Sequence, residues 1–517
     1  MMTVLLVSAW MLFATSTVIA TDREPDSPQY DLSNPVSNES QLPNIVWIIP
    51  DDMSAQFGCY GETAIETPHV DALAASGVRF TNAFVTAPVC STCRSAFITG
   101  MFQTSIGAHH HRSGRGELKI ELPDNIAMVP ELFQKAGYFT SISSWPMGHR
   151  SGRSDALGKT DYNFQWDPAI YDGNDWSQRA EGQPFFAQIH TPGGKLRGKD
   201  ADGWERIAKR AEQLLGDRTT TDQVSLPPYY PPHPDVVADW AAYLDSVRVT
   251  DAMVGDVVKR LKDEGIESNT LVLFMTDHGI SHARGKQFLY DEGIHVPLII
   301  AGPTVQAGIT RDDPVHHIDI AALSLAAAGI DIPDNMQARD ILSNDYEPRD
   351  AVFAARDRCD ETVDNIRSVR TVDFKYIRNF LPNRPYLQPC AYKDGKAIIK
   401  AIRDWDQEGR LNEIQQLVTA STRSPEELYD LSSDPYEINN LASNPQYADQ
   451  LAQLRKRLDT WMRSTGDLGR QPESEAMYDS DMAVYLDKFR GRKPNPEQFQ
   501  IISGNIATMK RWAAEGK

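Results

Sequence analysis

At 517 residues the chain is longer than one ordinary hydrophobic core, so two to four domains, or one large domain with a smaller one, are expected. Hydrophobic residues at 41% and charged residues at 24% are the proportions of a soluble globular protein. The formal charge, 52 − 71 = −19, excludes a general nucleic-acid binder, which needs a basic face to displace counterions, but leaves room for a locally basic anion pocket.

The run from Thr3 to Ala14 is apolar and ends in small residues, and Val18-Ile19-Ala20 resembles a cleavage site. It is short for a bilayer span and reads as a secretory signal peptide over 1–20, which makes the protein exported, periplasmic or secreted, with no stable membrane span. An uncleaved N-terminal anchor is the alternative. Residues 21–42, polar and rich in Pro, Ser and Asn, read as a linker. Five cysteines, Cys59, Cys90, Cys93, Cys359 and Cys390, are sparse and odd in number, so no disulfide framework is implied; Cys359 with Cys390 is one possible bridge.

Asn44 to Pro50 is a short apolar run with the pattern of a buried parallel strand, and it ends in Asp51-Asp52. Carboxylates at the carboxyl end of a first strand lie where open α/β sheets place ligands. Val70 to Gly77 reads as a helix stopped by glycine, and Val78 to Phe84 as a strand leading into Pro88-Val89-Cys90-Ser91-Thr92-Cys93-Arg94. The apolar residues and Thr99-Gly100 that follow suit a loop turning into a helix. At such a start the backbone N–H groups and the dipole favour a thiolate and an oxyanion. A buried structural thiol is the simpler alternative for Cys90 taken alone, free cysteine being among the most buried residue types. Of His109-His110-His111, at most two can serve one site, and a solvated loop is equally open.

Further helices are expected over Met128 to Ala136 and, long and amphipathic, over Trp240 to Gly265; strands are expected over Gly137 to Ile142 and Pro184 to His190. Leu271 to Thr276 is the clearest core strand and ends in Asp277-His278-Gly279; Lys286 follows, then a strand at Val296 to Ile300. Alternating strands and helices with polar residues at strand ends argue an α/β fold with a doubly wound, mostly parallel sheet. Beyond Leu342 the pattern changes to short antiparallel strands, Glu427-Leu428-Tyr429-Asp430-Leu431 and a helix from Tyr447 to Met462. The expected organisation is a catalytic domain over 43–341, a smaller α+β domain over 342–463 and a surface extension over 464–517.

Asp51, Asp52 and Asp277, with His278, supply the mostly oxygen shell of a hard divalent cation, and Ca²⁺ tolerates irregular geometry better than Mg²⁺. Arg94, Lys159 and Lys286 offer donors to a tetrahedral anion. A metal, a nucleophile and a cationic cradle together describe sulfuryl or phosphoryl transfer.

These residues, taken in order over roughly 43–462, resemble the type I, formylglycine-dependent sulfatases of the alkaline-phosphatase-like superfamily. Cys90 to Gly100 matches the family's C-x-P-S-R-x-x-L-x-T-G at the cysteine, arginine, threonine and glycine. Asp51-Asp52, Asp277-His278-Gly279, Gly285-Lys286, Val296-Pro297-Leu298-Ile299 and Glu427 to Leu431 fall in family order. The resemblance implies an alkaline-phosphatase-like fold and a maturation enzyme that converts Cys90 to formylglycine. One hydroxyl of the hydrated aldehyde then attacks sulfur, and the other expels sulfate. It implies one calcium ion on Asp51, Asp52, Asp277, His278 and residue 90, with Arg94, Lys159 and Lys286 on the sulfate oxygens. The sequence departs from the family at Thr92, which stands for proline, at Cys93, which stands for serine, at Asp161, which replaces a histidine, and at His295, which replaces an arginine. The family's Pro-His after the Pro-Phe-Phe strand is missing, and His190 or Lys195 stands in; His190 is favoured because a proton must move near neutral pH.

The chain therefore reads as a calcium-dependent sulfatase of sulfated oligo- or polysaccharides, nearest the bacterial heparan N-sulfatase-like branch. The substrate pocket is expected from loops within 103–160 and 190–240 and from Arg356 to Arg370. The alternatives are a phosphatase, phosphodiesterase or phosphonate hydrolase of the same superfamily, and a non-catalytic sulfoglycan-binding protein should Cys90 stay unmodified.

Overall fold

Every residue of strand β1 (Asn44–Pro50) is buried, because it lies in the middle of a sheet covered on both faces; this is why it reads as an unbroken apolar run. The computed structural model describes residues 42–146, 156–491 and 494–517, all within one compact unit. The expected signal peptide and, apart from Leu42, the expected linker lie outside the described residues. Among these, no helix is long and apolar enough to cross a membrane.

The main sheet adds β2 (Gly77–Phe84), β3 (Phe139–Ser144), β4 (Phe185–Thr191), β5 (Thr270–Met275), β6 (His295–Ala301), β7 (Ile309–Arg311) and β8 (Val315–His316). Its order is β3-β4-β1-β5-β6-β2-β7, with β8 also on β2. Every pairing is parallel except the two that β6 makes with β5 and β2. The sheet is the mostly parallel, doubly wound one expected. Helices Cys90–Thr99, Val129–Lys135 and Asp319–Ala327 pack on one another, and Trp47 of β1 points into that group, donating to Ser324 and meeting Phe97 edge-on. The long helix Pro234–Asp263 gathers Pro68–Ala75, Ala201–Leu215 and Ala397–Gln407 into a second group. It begins six residues before the expected Trp240, at a proline in its first turn, with His233 accepting from Asp235 N–H. The glycine expected to stop the helix after Val70 instead begins β2; a Cβ at Gly77 would strike the backbone of Ile300 and Ala301 on β6.

A smaller antiparallel sheet holds β9 (Val352–Arg356), β10 (Ile366–Arg370), β11 (Phe374–Asn379) and β12 (Glu426–Asp430), in the order β12-β11-β10-β9, with helix Ala448–Ser464 against β10 and β11. From Ser464 the chain forms two helices, Glu475–Arg490 and Pro496–Ala514, packed on each other around Tyr478, Met482 and Met509. Their narrow apolar stripe explains why the segment reads only as a polar extension.

Candidate active site

Strands β4, β1 and β5 are parallel neighbours, so their carboxyl ends reach one edge of the sheet together. Register fixes what meets there: Ile48 pairs with Phe274, and three residues past each come Asp51 and Asp277. On the other side Pro50 pairs with Thr191, which puts His190 and the turn after it beside Asp51. The backbone then turns sharply. Asp52 has φ +54, a conformation unfavourable to any side chain but glycine, and its N–H donates to Asp277 Oδ1 at 2.9 Å.

Cys90 is the first residue of helix Cys90–Thr99, which Gly100 ends in the left-handed region at φ +65. Its Sγ lies 3.1 Å from His278 Nε2, 3.1 Å from Lys286 Nζ, 3.7 Å from Asp52 Oδ1 and 3.8 Å from Lys195 Nζ. Burial pushes the thiol up, but Lys159, Lys195 and Lys286 outweigh it and bring the pKa down to about 6. Cys93, three residues on, is a different environment. Burial holds its thiol well above the ordinary value, and its Sγ meets the Asp277 carbonyl and His317, so the Cys-x-x-Cys pair is not a matched dithiol. Thr92, at the departure from the family pattern, turns its hydroxyl back to the Val89 carbonyl at 2.8 Å. All five cysteines are free, Cys359 and Cys390 included; the Gln287 amide donates to both of those sulfurs.

Four cations bind the three buried carboxylates. Arg94 meets Asp51 and, at 3.2 Å, Asp277; Lys159 lies 2.9 Å from Asp51 and 3.4 Å from Asp277. Lys286 lies 3.1 Å from Asp52, and Lys195 lies 2.6 Å from Asp51 and 3.4 Å from Asp52. Burial alone would raise the two aspartates. The lysines, with Arg94 at Asp51 and His278 at Asp52, hold both well below the usual carboxylate range. With residue 90 uncharged, as an aldehyde hydrate would be, three carboxylates against four cations leave a net positive floor, which suits an anionic ligand.

The residues named as metal ligands divide. Donor atoms of Asp52, Cys90, Asp277 and His278 lie within 4.8 Å of one another, whereas the Asp51 carboxylate is turned towards Arg94, Lys159 and Lys195. His278 Nε2 stands 3.2 Å from Asp52 Oδ1 and 3.6 Å from Asp277 Oδ1, separations that ligands sharing one calcium-sized ion can have. A sulfur at residue 90 is the one soft donor in that set, and an oxygen in its place would make the set fit calcium. Of the two candidates for the missing family histidine, His190 accepts from Arg94 through Nδ1 at 2.6 Å, and Lys195 reaches Cys90.

Above this floor opens a cavity of about 560 Å³. Its far wall is built from His111 and Arg112 on one loop, Cys359 and Asp360 on another and Tyr392 from helix Ala391–Asp394. Arg112 lies 3.3 Å from Asp360, and the Tyr392 hydroxyl donates to Asp52 Oδ2 at 3.2 Å. Arg112, Asp161 and Asp360 all hold positive φ, so local backbone preference is set aside where the wall is formed. The histidine run is not a solvated loop: His109 and His111 are buried, and His111 accepts or donates at Ser91 Oγ, 2.7 Å away. Of the stretch 356–370 only Cys359 and Asp360 line the cavity. Arg356, Arg358, Arg367 and Arg370 turn inward to Asp364, Asp481, Asp467 and Asp291. His295 is also away from the site, stacked on Phe84 and bonded to the Thr81 carbonyl. Tyr392 carries no motif that would have singled it out.

Residues 43–330 match the family model described as Sulfatase, and residues 278–386 match one described as N-sulphoglucosamine sulphohydrolase, C-terminal. An ulvan-active sulfatase of Formosa agariphila is 32% identical over 473 residues, spanning 84% of this chain and 77% of that protein. The human N-sulphoglucosamine sulphohydrolase is 26% identical over 482 residues, spanning 82% and 90%. In structure, the phosphonate monoester hydrolase of Agrobacterium radiobacter superposes with a TM-score of 0.58 at 17% identity, covering 84% of this chain and 98% of that one, which is a likeness of fold.

Proposed function

Because the chain belongs to the sulfatase family and is a sulfuric ester hydrolase, we propose that it removes sulfate from a sulfated oligo- or polysaccharide, outside the cytoplasm, at the cavity floor around Cys90. The leading observation is one juxtaposition: the first residue of a helix stands between a buried Asp52–Asp277–His278 donor set and the cations Lys286 and Lys195. The carbohydrate class is supported by the names of the relatives, an ulvan-active sulfatase and an N-sulphoglucosamine sulphohydrolase.

Matured to formylglycine by a maturation enzyme, residue 90 supplies a hydrated aldehyde nucleophile, and a calcium ion held by Asp52, Asp277 and His278, with Asp51 beside them, supplies Lewis acidity. The chain's own residues do the rest. Lys286, beside residue 90, and Lys159, against Asp51 and Asp277, line the cavity with positive charge from which sulfate oxygens accept hydrogen bonds. Arg94, fully buried and tied to Asp51 and Asp277, orients both carboxylates and helps keep Asp51 ionised. His278 Nδ1 engages the Gly279 carbonyl at 2.9 Å, which leaves Nε2 as the ligand atom. The helix start at residue 90 adds unpaired backbone N–H groups to the anion's side.

Mass spectrometry of the Cys90 peptide from the protein made in its own host, together with sulfate release from sulfated oligosaccharides, tests this reading. An aldehyde at residue 90 with sulfate release is expected. An unmodified cysteine in a protein that only binds the glycan, or release of phosphate or phosphonate in preference to sulfate, would overturn it.

A further inference from the structure

The four cations around residue 90 are not equivalent. Side-chain exposure is 0% for Arg94, 9% for Lys159 and 4% for Lys286, but 35% for Lys195. Three are buried in the floor, although Lys159 and Lys286 still line the cavity, and Lys195 alone is part-exposed as well as cavity-lining. The backbone beneath Lys195 is fixed even though about a third of its side chain is exposed. It rides on the 3₁₀ turn Gly193–Arg197, in which Gly194 N–H donates to the Asp51 carbonyl at 2.8 Å. Gly193 holds φ +55, and a Cβ at Gly193 or Gly194 would collide with the carbonyls of Asp51 and Asp52, so only glycine lets the turn lie this close to the end of β1. Arg197 closes the turn by donating to the Gly194 carbonyl at 2.8 Å while paired with Asp239 at 3.0 Å. Two consecutive glycines thus carry the ammonium to 3.8 Å from Cys90 Sγ.

His190 is placed differently. It is the next-to-last residue of β4, 4% exposed, and its Nδ1 accepts from Arg94 at 2.6 Å. That bond ties it to the guanidinium that fixes the carboxylates, while the ring also lines the cavity.

We infer that Lys195, and not His190, is the catalytic residue that meets the bridging oxygen of the ester and protonates the departing sugar. The inference rests on the sulfatase reading. As the nucleophile at residue 90 bonds to sulfur, the bond from sulfur to the sugar oxygen breaks and its electron pair stays on that oxygen. A proton passes to the oxygen from Lys195 Nζ, and the neutral amine left behind regains one from water in the cavity that Lys195 lines. A sugar alkoxide is a poor leaving group, so this proton is where a part-exposed cation has most to contribute.

The test compares two substrates that need that proton to different degrees, 4-nitrophenyl sulfate, whose anion is stable, and a monosaccharide sulfate. Lys195→Met is expected to lose about 10²-fold more kcat/KM on the sugar sulfate than on the aryl sulfate. Across a series of aryl sulfates its rate should fall more steeply as the leaving group becomes more basic. Lys195→Arg, which keeps the charge and a donor, should recover part of the difference, and thermal denaturation checks that each variant is folded. His190→Gln should lose activity on both substrates alike, because its effect passes through Arg94. Equal losses on the two substrates for Lys195→Met, or a leaving-group-dependent loss for His190→Gln, would overturn the assignment. A wild type inert on both would overturn the proposed function itself, and the inference with it.

Discussion

The floor of the cavity and its far wall are assembled by different means. The floor is a product of the backbone ladder: once β1 pairs with β5 and β4, Asp51, Asp277 and Thr191 have nowhere else to be. The wall is a product of isolated contacts between distant segments, a single backbone bridge and a few ion pairs. His111 N–H donates to the Arg358 carbonyl at 2.8 Å across nearly half the chain, and Arg358 is held by Glu473 and Asp481 of the C-terminal segment. A ladder gains one hydrogen bond per residue and admits little adjustment, whereas a few ion pairs can be rearranged without disturbing the sheet. The carboxylates are therefore set by the ladder, and the recess proposed to meet the rest of the substrate is held by separate contacts.

Breaking the floor should cost far more activity than breaking the wall. Cys90→Ala is expected to lower sulfate release at least ~10³-fold with every sulfate ester tried, while thermal denaturation shows the fold retained; a loss confined to large substrates would erase the distinction. Asp52→Asn should cost on the order of 10²-fold or more and also reduce bound calcium by elemental analysis. Chelation should inactivate the wild type, and added calcium should restore it but not the variant.

The wall is probed by Arg358→Met, which leaves Glu473 and Asp481 buried without their cation. Urea denaturation should register a loss of about 3 kcal/mol, and KM for a sulfated oligosaccharide should rise more than KM for an aryl sulfate. Equal KM changes would mean that the wall does not read the carbohydrate. The smallest effect concerns protein made without maturation. The Cys90 thiol, with its pKa near 6, is mostly protonated at pH 5 and mostly thiolate at pH 7, so its alkylation rate should rise about tenfold across that interval. Cys59, pushed up to about 12 by burial and by Asp71, should not respond in that range.

The same division governs what could be read beforehand. Asp51, Asp52, Asp277 and His278 were legible because each follows an apolar strand directly, so a local pattern fixes its place. Cys90 and Arg94 lie one helical turn apart and needed only the helix start. Lys159 and Lys286 were legible through motif order. Tyr392 was not, since nothing near it in sequence says that helix Ala391–Asp394 meets Asp52. Nor was the role of 356–370: a run rich in Arg and Asp looks like a ligand surface until the partners of Arg356, Arg367 and Arg370 are known to be interior carboxylates. Helix Ala201–Leu215 went unread although Trp204, Ile207, Ala208 and Ala211 have helical spacing and Asp200 caps it, because the glycine at 203 and the charges around it mask the stripe.

The anchoring of Arg358 by Glu473 and Asp481 also has a consequence in time. A polypeptide grows from its N-terminus, so the sheet and the floor can form while the residues that brace the wall have yet to emerge. Arg358, whose carbonyl takes the His111 N–H, gains its two carboxylate partners only once residues 473 and 481 have been made.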